Sequence, residues 1–168
     1  MAWRPAYVAL GSNLSHPRAQ VERAFDGLST IAGTRLVARS GLWLTRPLGP
    51  QDQPAFVNAA AGLVTTLAPR EFLASLQALE QRLGKVEPAQ RWGPRVIDLD
   101  LVVFGDLRMS EPGLTLPHPG LHQRNFVLYP LCEIAAELWV PGLARVRRLR
   151  EGVSSAGIER LAARGSGD

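Results

Sequence analysis

The sequence has few of the features that mark several common protein classes. Its single cysteine, Cys132, allows neither an internal disulfide framework nor a metal site built from several cysteines. No apolar run approaches the roughly 20 residues that span a bilayer, and no basic segment followed by an apolar stretch opens the chain, as in a secretory signal. We therefore expect a soluble cytoplasmic protein in which Cys132 is a small buried hydrophobic residue.

Lysine is almost absent as well, since Lys85 is the only one among 19 basic residues. The net charge of +4 and the pI near 10.2 would suit a nucleic-acid-binding protein. However, residues 140–168 hold six arginines against three acidic residues, a net charge of +3, which leaves +1 for residues 1–139. The high pI therefore describes a basic tail and not the body of the chain.

What is present is a globular composition, with 46% hydrophobic and 20% charged residues over the length of one domain. We predict a domain over residues 1–143 and a basic, partly disordered tail over residues 144–168. Hydrophobic periodicity gives the order strand, helix, strand, strand, helix, strand, which fits an α+β plait with an antiparallel sheet and helices packed on one face.

The predicted elements are separated by turn signals and by two long loops. The first strand lacks the glycine-rich motif of dinucleotide-binding folds. Strands are predicted over residues 6–10, 35–44, 56–66 and 96–104, helices after Ser15 (as N-cap) and Ala68, loops over 45–54 and 84–95, a hairpin over 107–116, and two short helices over 123–131 and 133–138.

Asp98 and Asp100 carry the strongest chemical signal. Residues i and i+2 of a strand face the same way, so both carboxylates project from one face. Their mutual repulsion favours a cation between them, and Mg²⁺ takes one or two carboxylates and completes its shell with water and phosphate oxygens. A solvated strand face or a set of ion pairs would explain the same spacing.

Cationic side chains precede this strand. Arg91, Trp92 and Arg95 come directly before it, and Lys85 lies in the same loop. The arginine guanidinium is a planar, permanently charged clamp for phosphate. Carboxylates that can hold a metal, next to arginines, are typical of phosphoryl-type transfer, in which positioning and charge neutralisation do most of the work.

Six segments follow one another within residues 6–140. They are Gly11-Ser12-Asn13-Leu14, residues 47–54 (Pro-Leu-Gly-Pro-Gln-Asp-Gln-Pro), Phe56-Val57-Asn58-Ala59, residues 91–100 (Arg-Trp-Gly-Pro-Arg-Val-Ile-Asp-Leu-Asp), Pro117-His118 and Arg124-Asn125-Phe126. In this order they resemble the 6-hydroxymethyl-7,8-dihydropterin pyrophosphokinase family of folate biosynthesis. The resemblance implies a ferredoxin-like α+β fold with a C-terminal extension, and an enzyme that transfers the β,γ-diphosphate of ATP to the pterin hydroxymethyl group with two Mg²⁺ ions, releasing AMP.

The resemblance also implies roles for single residues. Asp98 and Asp100 would hold the metals, and Lys85 and Arg95 would be catalytic cations over the phosphates. The pterin would contact Thr45, Leu48, Phe56, Asn58, Trp92 and Phe126. ATP would contact Gln77, Glu80, Lys85, Arg91, Trp92, Arg95, Leu101, Thr115, His118 and Arg124.

Without the resemblance, some of these residues have plainer explanations. Phe56 and Phe126 would be ordinary core residues, Gln77 and Glu80 a solvated helix flank, and His118 a structural histidine. The other two histidines, His16 and His122, have no motif support, and we take them as structural.

Three positions depart from the family pattern. Glu87 replaces a common basic residue, Gly113 a frequent arginine and Pro119 a frequent aromatic residue. We therefore expect weaker ATP binding than in other members, with the chemistry retained.

Two other functions fit parts of the sequence. One is a non-catalytic plait domain that binds nucleotide or RNA with the arginine-rich tail, although no aromatic residue interleaves with those arginines to stack on bases. The other is a different metal-dependent ATP phosphotransferase. For the pyrophosphokinase we expect a monomer with two small-molecule substrates and neither nucleic-acid nor membrane partners.

Overall fold

The structure, a computed structural model, describes residues 2–46, 53–85 and 95–162. These ranges contain eight strands, four α-helices and one 3₁₀ helix. In chain order they are β1 (Arg4–Ser12), α1 (Pro17–Leu28), β2 (Thr34–Arg39), β3 (Trp43–Thr45), β4 (Phe56–Thr65), α2 (Pro69–Arg82), β5 (Asp98–Phe104), β6 (Met109–Glu111), β7 (Leu114–Leu116), a 3₁₀ helix (Leu121–Gln123), α3 (Asn125–Ala135), α4 (Val146–Glu151) and β8 (Ile158–Arg160).

The main sheet is antiparallel and has the strand order β5-β1-β4-β3-β8, with β2 also paired to β4. β1 lies between β4 and β5, so that Leu10 faces Ala59 on one side and Leu99 on the other. The order of elements and the antiparallel pairing confirm the predicted α+β plait. β5 lies at one edge of the sheet, next to the long segment that joins it to α2.

Each face of the sheet is covered by helices. α1 and α2 pack on one face, where Val8 and Leu10 meet Phe25 and Leu76 in the larger apolar cluster, as the plait prediction requires. The C-terminal helices α3 and α4 pack on the opposite face, over a second cluster that includes Ala9. Because side chains alternate along a strand, this second face also receives the carboxylates at the start of β5.

Four local predictions are wrong. The strand predicted over residues 35–44 is two strands, because Ser40 turns inward and its hydroxyl accepts a hydrogen bond from the Ala60 N–H. The α1 N-cap is His16 rather than Ser15, and both have left-handed backbone conformations. Cys132 is only partly buried.

Residues 123–138 contain one long helix instead of the two short ones predicted. α3 runs through Pro130, whose ring removes one backbone N–H from the helix. Val127, Leu128 and Leu131 are buried against the sheet on either side of the proline. Their burial holds the helix together across a position that the sequence alone marks as a break.

The segment predicted to be a basic tail contributes α4 and β8 to the fold up to residue 162. β8 pairs with β3 and forms the edge of the sheet opposite β5. The domain boundary at residue 143 stays a prediction. In the described ranges, no helix has both the length and the apolar character needed to cross a membrane.

Candidate functional site

A cavity of about 280 Å³ opens between the sheet and the N-terminal end of α3. Strands β1, β4 and β5 form its floor, and α3 forms one wall. The residues around it include the predicted pterin contacts Thr45, Phe56, Asn58 and Phe126, together with Lys85, Arg95, Asp98, Asp100 and Arg124.

A second cavity, of about 370 Å³, lies beside the edge strand β5. Its lining includes the predicted ATP contacts Gln77, Glu80, Leu101, Thr115 and His118, and it shares Lys85 and Asp100 with the first cavity. The structure therefore places most of the predicted residues around two cavities, whose linings share the Asp100 carboxylate and the Lys85 ammonium. Arg95 and Arg124, predicted as ATP contacts, line the first cavity instead.

The acidic pair lies where the two cavities meet. Asp98 and Asp100 line the first cavity, while Leu99 is buried in the cluster on the opposite face, as predicted. Asp100 is exposed to the solvent inside the cleft. The protein around the cleft nevertheless displaces much of the bulk water that would otherwise surround its carboxylate. This desolvation, reinforced by the negative charges of Asp98 and Glu80, raises the pKa of Asp100 to about 6. A cation bound here would relieve both effects.

Two cations hold the Asp98 carboxylate. The Lys85 Nζ lies 3.0 Å from Asp98 Oδ1, and the Arg95 Nη1 lies 3.1 Å from the same oxygen. Partial burial disfavours the Lys85 ammonium, but the carboxylates of Asp98 and Glu80 outweigh it and raise the pKa of Lys85. Lys85 and Arg95 therefore offset part of the negative charge of the acidic pair.

Glu80 connects α2 to the edge strand. Its carboxylate accepts a 2.8 Å hydrogen bond from the Leu99 N–H and lies 3.1 Å from Lys85 Nζ. Burial raises the pKa of Glu80, although the Leu99 N–H and the Lys85 charge oppose the shift. Glu80 is only 6% exposed, so it is not part of a solvated helix flank, whereas Gln77 is exposed beside it.

Asn58 is fixed on the floor of the first cavity. Its side-chain oxygen accepts a 2.6 Å hydrogen bond from the Thr45 hydroxyl, and its Nδ2 donates to the Leu10 carbonyl at 3.3 Å. Gly11 is required here, because a Cβ at that position would lie 2.8 Å from Asn58 Nδ2. One N–H and one lone pair of the amide remain for a ligand.

Phe56 and Phe126 are not ordinary core residues. Both line the first cavity and both are partly exposed. Phe56 enters from the start of β4 and Phe126 from the first turn of α3. The guanidinium carbon of Arg124 lies 5.8 Å from the centre of the Phe126 ring. The cavity therefore offers aromatic surface together with a fixed amide.

His118 is held in one orientation at the second cavity. Its backbone N–H donates to the Val102 carbonyl at 2.9 Å, and its Nδ1 accepts a hydrogen bond from the Gly120 N–H at 3.1 Å. Burial and the Arg124 charge lower the pKa of His118 to about 4. The ring is therefore neutral near pH 7 and carries its proton on Nε2, available as a donor.

Asn13 lies beside the first cavity, bound to the backbone of Arg95, and the sequence predicts no role for it. Its Nδ2 donates to Gln53 Oε1 at 2.8 Å and to the Pro54 carbonyl at 3.0 Å, and its Oδ1 accepts from the Arg95 N–H at 2.7 Å. This buried side chain joins the segment before β4 to the segment before β5. The sequence feature that could have indicated this role is the polar Asn13 of the Gly11-Ser12-Asn13-Leu14 motif, which directly follows a buried strand.

Four predicted positions, Leu48, Glu87, Arg91 and Trp92, lie outside the described residues. The other two departures, Gly113 and Pro119, line the second cavity. Gly113 has a left-handed backbone (φ 79°) between β6 and β7, so this turn favours glycine.

The carboxylates of Asp98 and Asp100 suit a hard divalent cation whose remaining ligands are water and the oxygens of a bound molecule. In residues 2–46, 53–85 and 95–162 there is no group of three or more His, Cys, Asp or Glu side chains that could hold a metal. Two carboxylates with water and phosphate oxygens are nevertheless a donor set that Mg²⁺ accepts. The residues present therefore fit such a metal.

The fold and the site together define an α+β domain with the charge arrangement of a phosphoryl-transfer enzyme. Two cavities share an acidic residue and a lysine, and further cations surround them. The chain belongs to the 7,8-dihydro-6-hydroxymethylpterin-pyrophosphokinase (HPPK) family, whose sequence model matches residues 7–136.

Relatives over most of the chain carry the corresponding name. The chain is 47% identical over 155 residues to the 2-amino-4-hydroxy-6-hydroxymethyldihydropteridine pyrophosphokinase of Pseudomonas aeruginosa, covering 92% of this chain and 95% of that protein. The enzyme of the same name from Haemophilus influenzae is 44% identical over 136 residues, 81% of this chain and 84% of that protein.

Solved structures share the fold at low sequence identity. The wild-type HPPK-DHPS protein of Plasmodium falciparum with pteroate matches with a TM-score of 0.69 and 14% identity, over 90% of this chain. A second structure of the wild-type protein gives a TM-score of 0.68 at 13% identity. This chain spans 42% and 45% of those chains, respectively, so the likeness concerns the fold of the shared part.

Proposed function

We propose that the chain transfers the β,γ-diphosphate of ATP to the hydroxymethyl group of 6-hydroxymethyl-7,8-dihydropterin, a step of folate biosynthesis. The hydroxyl oxygen attacks the β-phosphorus, the bond from that phosphorus to the oxygen bridging to the α-phosphorus breaks, and AMP leaves. The observation that carries this proposal is that two cavities of different character meet at Asp100 and Lys85.

The first cavity suits the pterin. A flat heterocycle packs well against aromatic rings, and Phe56 and Phe126 present theirs to the cavity. The N–H and the lone pair that Asn58 keeps free match the alternating donors and acceptors on a pterin edge. Thr45 orients that amide. Leu48 and Trp92 stay predictions as further pterin contacts.

The second cavity suits ATP. Leu101 and Thr115 line the part that we assign to adenine, and Gln77 and Glu80 line the α2 side. His118 donates from Nε2 to a phosphate or ribose oxygen. Arg91 and Trp92 stay predictions as ATP contacts.

We assign three cations to the diphosphate group that is transferred. Lys85 and Arg95 turn from Asp98 to the phosphate oxygens when the nucleotide is bound. Arg124 lines the first cavity beside Phe126, and we assign it to the same phosphates from the pterin side. Charge neutralisation and alignment by such side chains are the main protein contribution to phosphoryl transfer.

Asp98 and Asp100 are the residues that would hold Mg²⁺, and the family resemblance implies two ions. Bound metal would neutralise the phosphates and lower the pKa of the attacking hydroxyl. The raised pKa of Asp100 supports this assignment, because the site concentrates negative charge where it is poorly solvated.

The arginines of the C-terminal segment give little support to the nucleic-acid alternative. Arg147 lies 3.1 Å from a Glu137 carboxylate oxygen and Arg160 lies 2.9 Å from Glu133. The Arg150 guanidinium lies over the Tyr129 ring at 4.4 Å. We accordingly propose a cytoplasmic, monomeric enzyme whose partners are its two small-molecule substrates.

The test is an assay of AMP released from ATP with Mg²⁺, with and without the pterin. We expect AMP only when the pterin is present, and none after chelation of the metal. Asp98→Asn should reduce the rate at least about a hundredfold, whereas Asp106→Asn, in the exposed turn after β5, should not. AMP formed equally without pterin would overturn the substrate assignment.

A further inference from the structure

The C-terminal strap, defined here as residues 154–162, runs along the outer edge of β3. The Leu161 N–H donates to the Leu42 carbonyl at 2.8 Å, and the Arg46 N–H donates to the Gly157 carbonyl at 3.0 Å. Between these two bonds, β8 pairs with β3 so that Ile158 faces Thr45. A strand of only three residues is thus held between β4 and the strap.

The residues that the strap holds form one wall of the first cavity. Thr45 and Arg46 both line it, and the Thr45 hydroxyl fixes the Asn58 amide. Gly157 packs against the side chain of Arg46, since a Cβ there would lie 3.3 Å from Arg46 Cδ. Displacement of the strap would therefore move the wall and release the amide from its hydroxyl partner.

The other end of the strap is tied to the opposite wall. The Asn125 Nδ2 donates to the Ser154 carbonyl at 2.9 Å and to the Ala156 carbonyl at 3.1 Å. Asn125 is the first residue of α3, and its neighbours Arg124 and Phe126 line the first cavity. The strap thus connects the β3 wall to the α3 wall.

The carboxylate of Glu133 connects α3, the β3 region and the strap. Glu133 of α3 accepts hydrogen bonds from the Gly41 N–H at 2.9 Å and from the Trp43 indole N–H at 3.0 Å. Arg160 of the strap donates to both oxygens of the same carboxylate, at 3.3 Å from Nε and 2.9 Å from Nη2. Two parallel bonds of this kind fix geometry as well as charge.

We propose that the strap is a positioning device, which sets the spacing between the β3 and α3 walls and thereby the fit of the flat ring in the first cavity. That the ring is the pterin rests on the proposed function. The second cavity lies at the opposite edge of the sheet and has no strap residue in its lining. Loss of the Arg160–Glu133 contact should therefore weaken pterin binding and leave ATP binding unchanged.

The test uses Arg160→Met, which keeps the apolar stem and removes the bidentate contact. Arg160→Lys is the conservative variant, and Arg148→Met is the matched control, since Arg148 is an exposed arginine of α4 whose ion-pair partner Glu151 is 3.9 Å away. The readouts are the thermal midpoint, the KM of each substrate in the AMP assay, and amide hydrogen exchange at Arg46.

We expect Arg160→Met to raise the pterin KM about 3- to 10-fold, on the scale of one partly exposed ion pair with its hydrogen bonds. The KM of ATP should stay within about twofold, and exchange at the Arg46 amide should accelerate. Arg160→Lys should restore part of the pterin affinity, and Arg148→Met should match the wild type.

Two results would overturn the proposal. One is a lower thermal midpoint of Arg160→Met with an unchanged pterin KM, and the other is an equal rise of both KM values. If the wild-type chain releases no AMP with the pterin, the proposed function fails instead. The role of the strap is then tested by hydrogen exchange at the Arg46 amide alone. Faster exchange in Arg160→Met but not in Arg148→Met supports the proposal, and unchanged exchange in Arg160→Met contradicts it.

Discussion

The hydroxyl of Thr45 donates a 2.6 Å hydrogen bond to the side-chain oxygen of Asn58, one strand away. Both side chains are buried. Because the oxygen is bound on this side, the amide nitrogen of Asn58 points toward β1 and the Leu10 carbonyl. The pair therefore decides which end of the amide a ligand in the first cavity meets.

Thr45→Val tests this relationship. The substitution conserves shape but leaves the buried Asn58 oxygen without its donor, which should lower the free energy of unfolding by about 1–3 kcal/mol. Since the amide is then free to rotate, the KM of the pterin should rise while the KM of ATP stays the same. Thr30→Val, which removes an exposed hydroxyl at the end of α1, is the control. An unchanged pterin KM in a folded Thr45→Val protein contradicts the assignment.

Asn13 offers a second test, because its two side-chain atoms serve different segments. Asn13→Asp keeps an acceptor for the Arg95 N–H but loses both donors, to Gln53 and to Pro54. We expect it to raise the pterin KM, because residues 53–54 lead into β4 and Phe56. Asn13→Ala, which also removes the acceptor of the Arg95 N–H, should in addition lower kcat.

Steady-state kinetics of the two Asn13 variants, with both substrates varied, separate the two roles. A thermal melt of each variant shows whether it is folded at the assay temperature. Identical kinetic effects of the two variants would mean that Asn13 acts as one structural unit and not as a link with two separable ends.

The position of Asp98 and Asp100 could be predicted because it depends only on the alternation of side chains along a strand. Lys85 and Arg95 were expected in the same site, but their ion pairs with Asp98 and the link through Glu80 could not be predicted. Glu80 and Lys85 reach the acidic pair because β5 is the edge strand next to the end of α2, and the strand order is a tertiary property. The two separate cavities follow from the same topology, which the local sequence does not encode.

The strap could not be predicted for a related reason. In residues 154–162 only a few side chains are apolar, and their pattern is too short to indicate a strand. β8 forms because its backbone pairs with β3 and because Glu133, on a helix remote in sequence, binds Arg160. Among the arginines that the sequence presented as an electrostatic tail, Arg147, Arg150 and Arg160 contact residues outside that segment, namely Glu137, Tyr129 and Glu133.

Asp100 should make the stability of the protein depend on pH. Its carboxyl has a pKa of about 6 in the folded protein, against 3.8 as the ordinary value. Between these values the folded chain binds more protons than the unfolded chain, so stability falls as the pH rises and stays lower above pH 6. Asp100→Asn should therefore melt at a higher temperature than the wild type at pH 8, with a difference that disappears toward pH 4.

Thermal melts at several pH values, without metal or nucleotide, measure this difference. Asp106→Asn, at an exposed turn position, should show no such pH-dependent gain. A melting difference between Asp100→Asn and the wild type that is the same at pH 4 and pH 8 would mean that the carboxylate is well solvated in the cleft.

Pro119 gives a direct test of the ATP side, because it is exposed in the lining of the second cavity and departs from the family pattern. Pro119→Tyr supplies a ring that can stack on the nucleotide, and a stacked ring is worth about 0.5–1.5 kcal/mol. We expect a non-hydrolysable ATP analogue to bind about 2- to 10-fold more tightly, as measured by calorimetry. Gly113→Arg is no substitute for this test, because the left-handed backbone of Gly113 would add strain.

Gln123→Tyr is the matched control for Pro119→Tyr. It adds the same ring at an exposed position of the 3₁₀ helix that follows, away from the lining of the second cavity. A gain in affinity for Pro119→Tyr alone places the adenine and ribose beside residue 119. Equal affinities for both variants and the wild type would mean that the nucleotide does not reach this end of the cavity, and that the proline is no cause of weaker ATP binding.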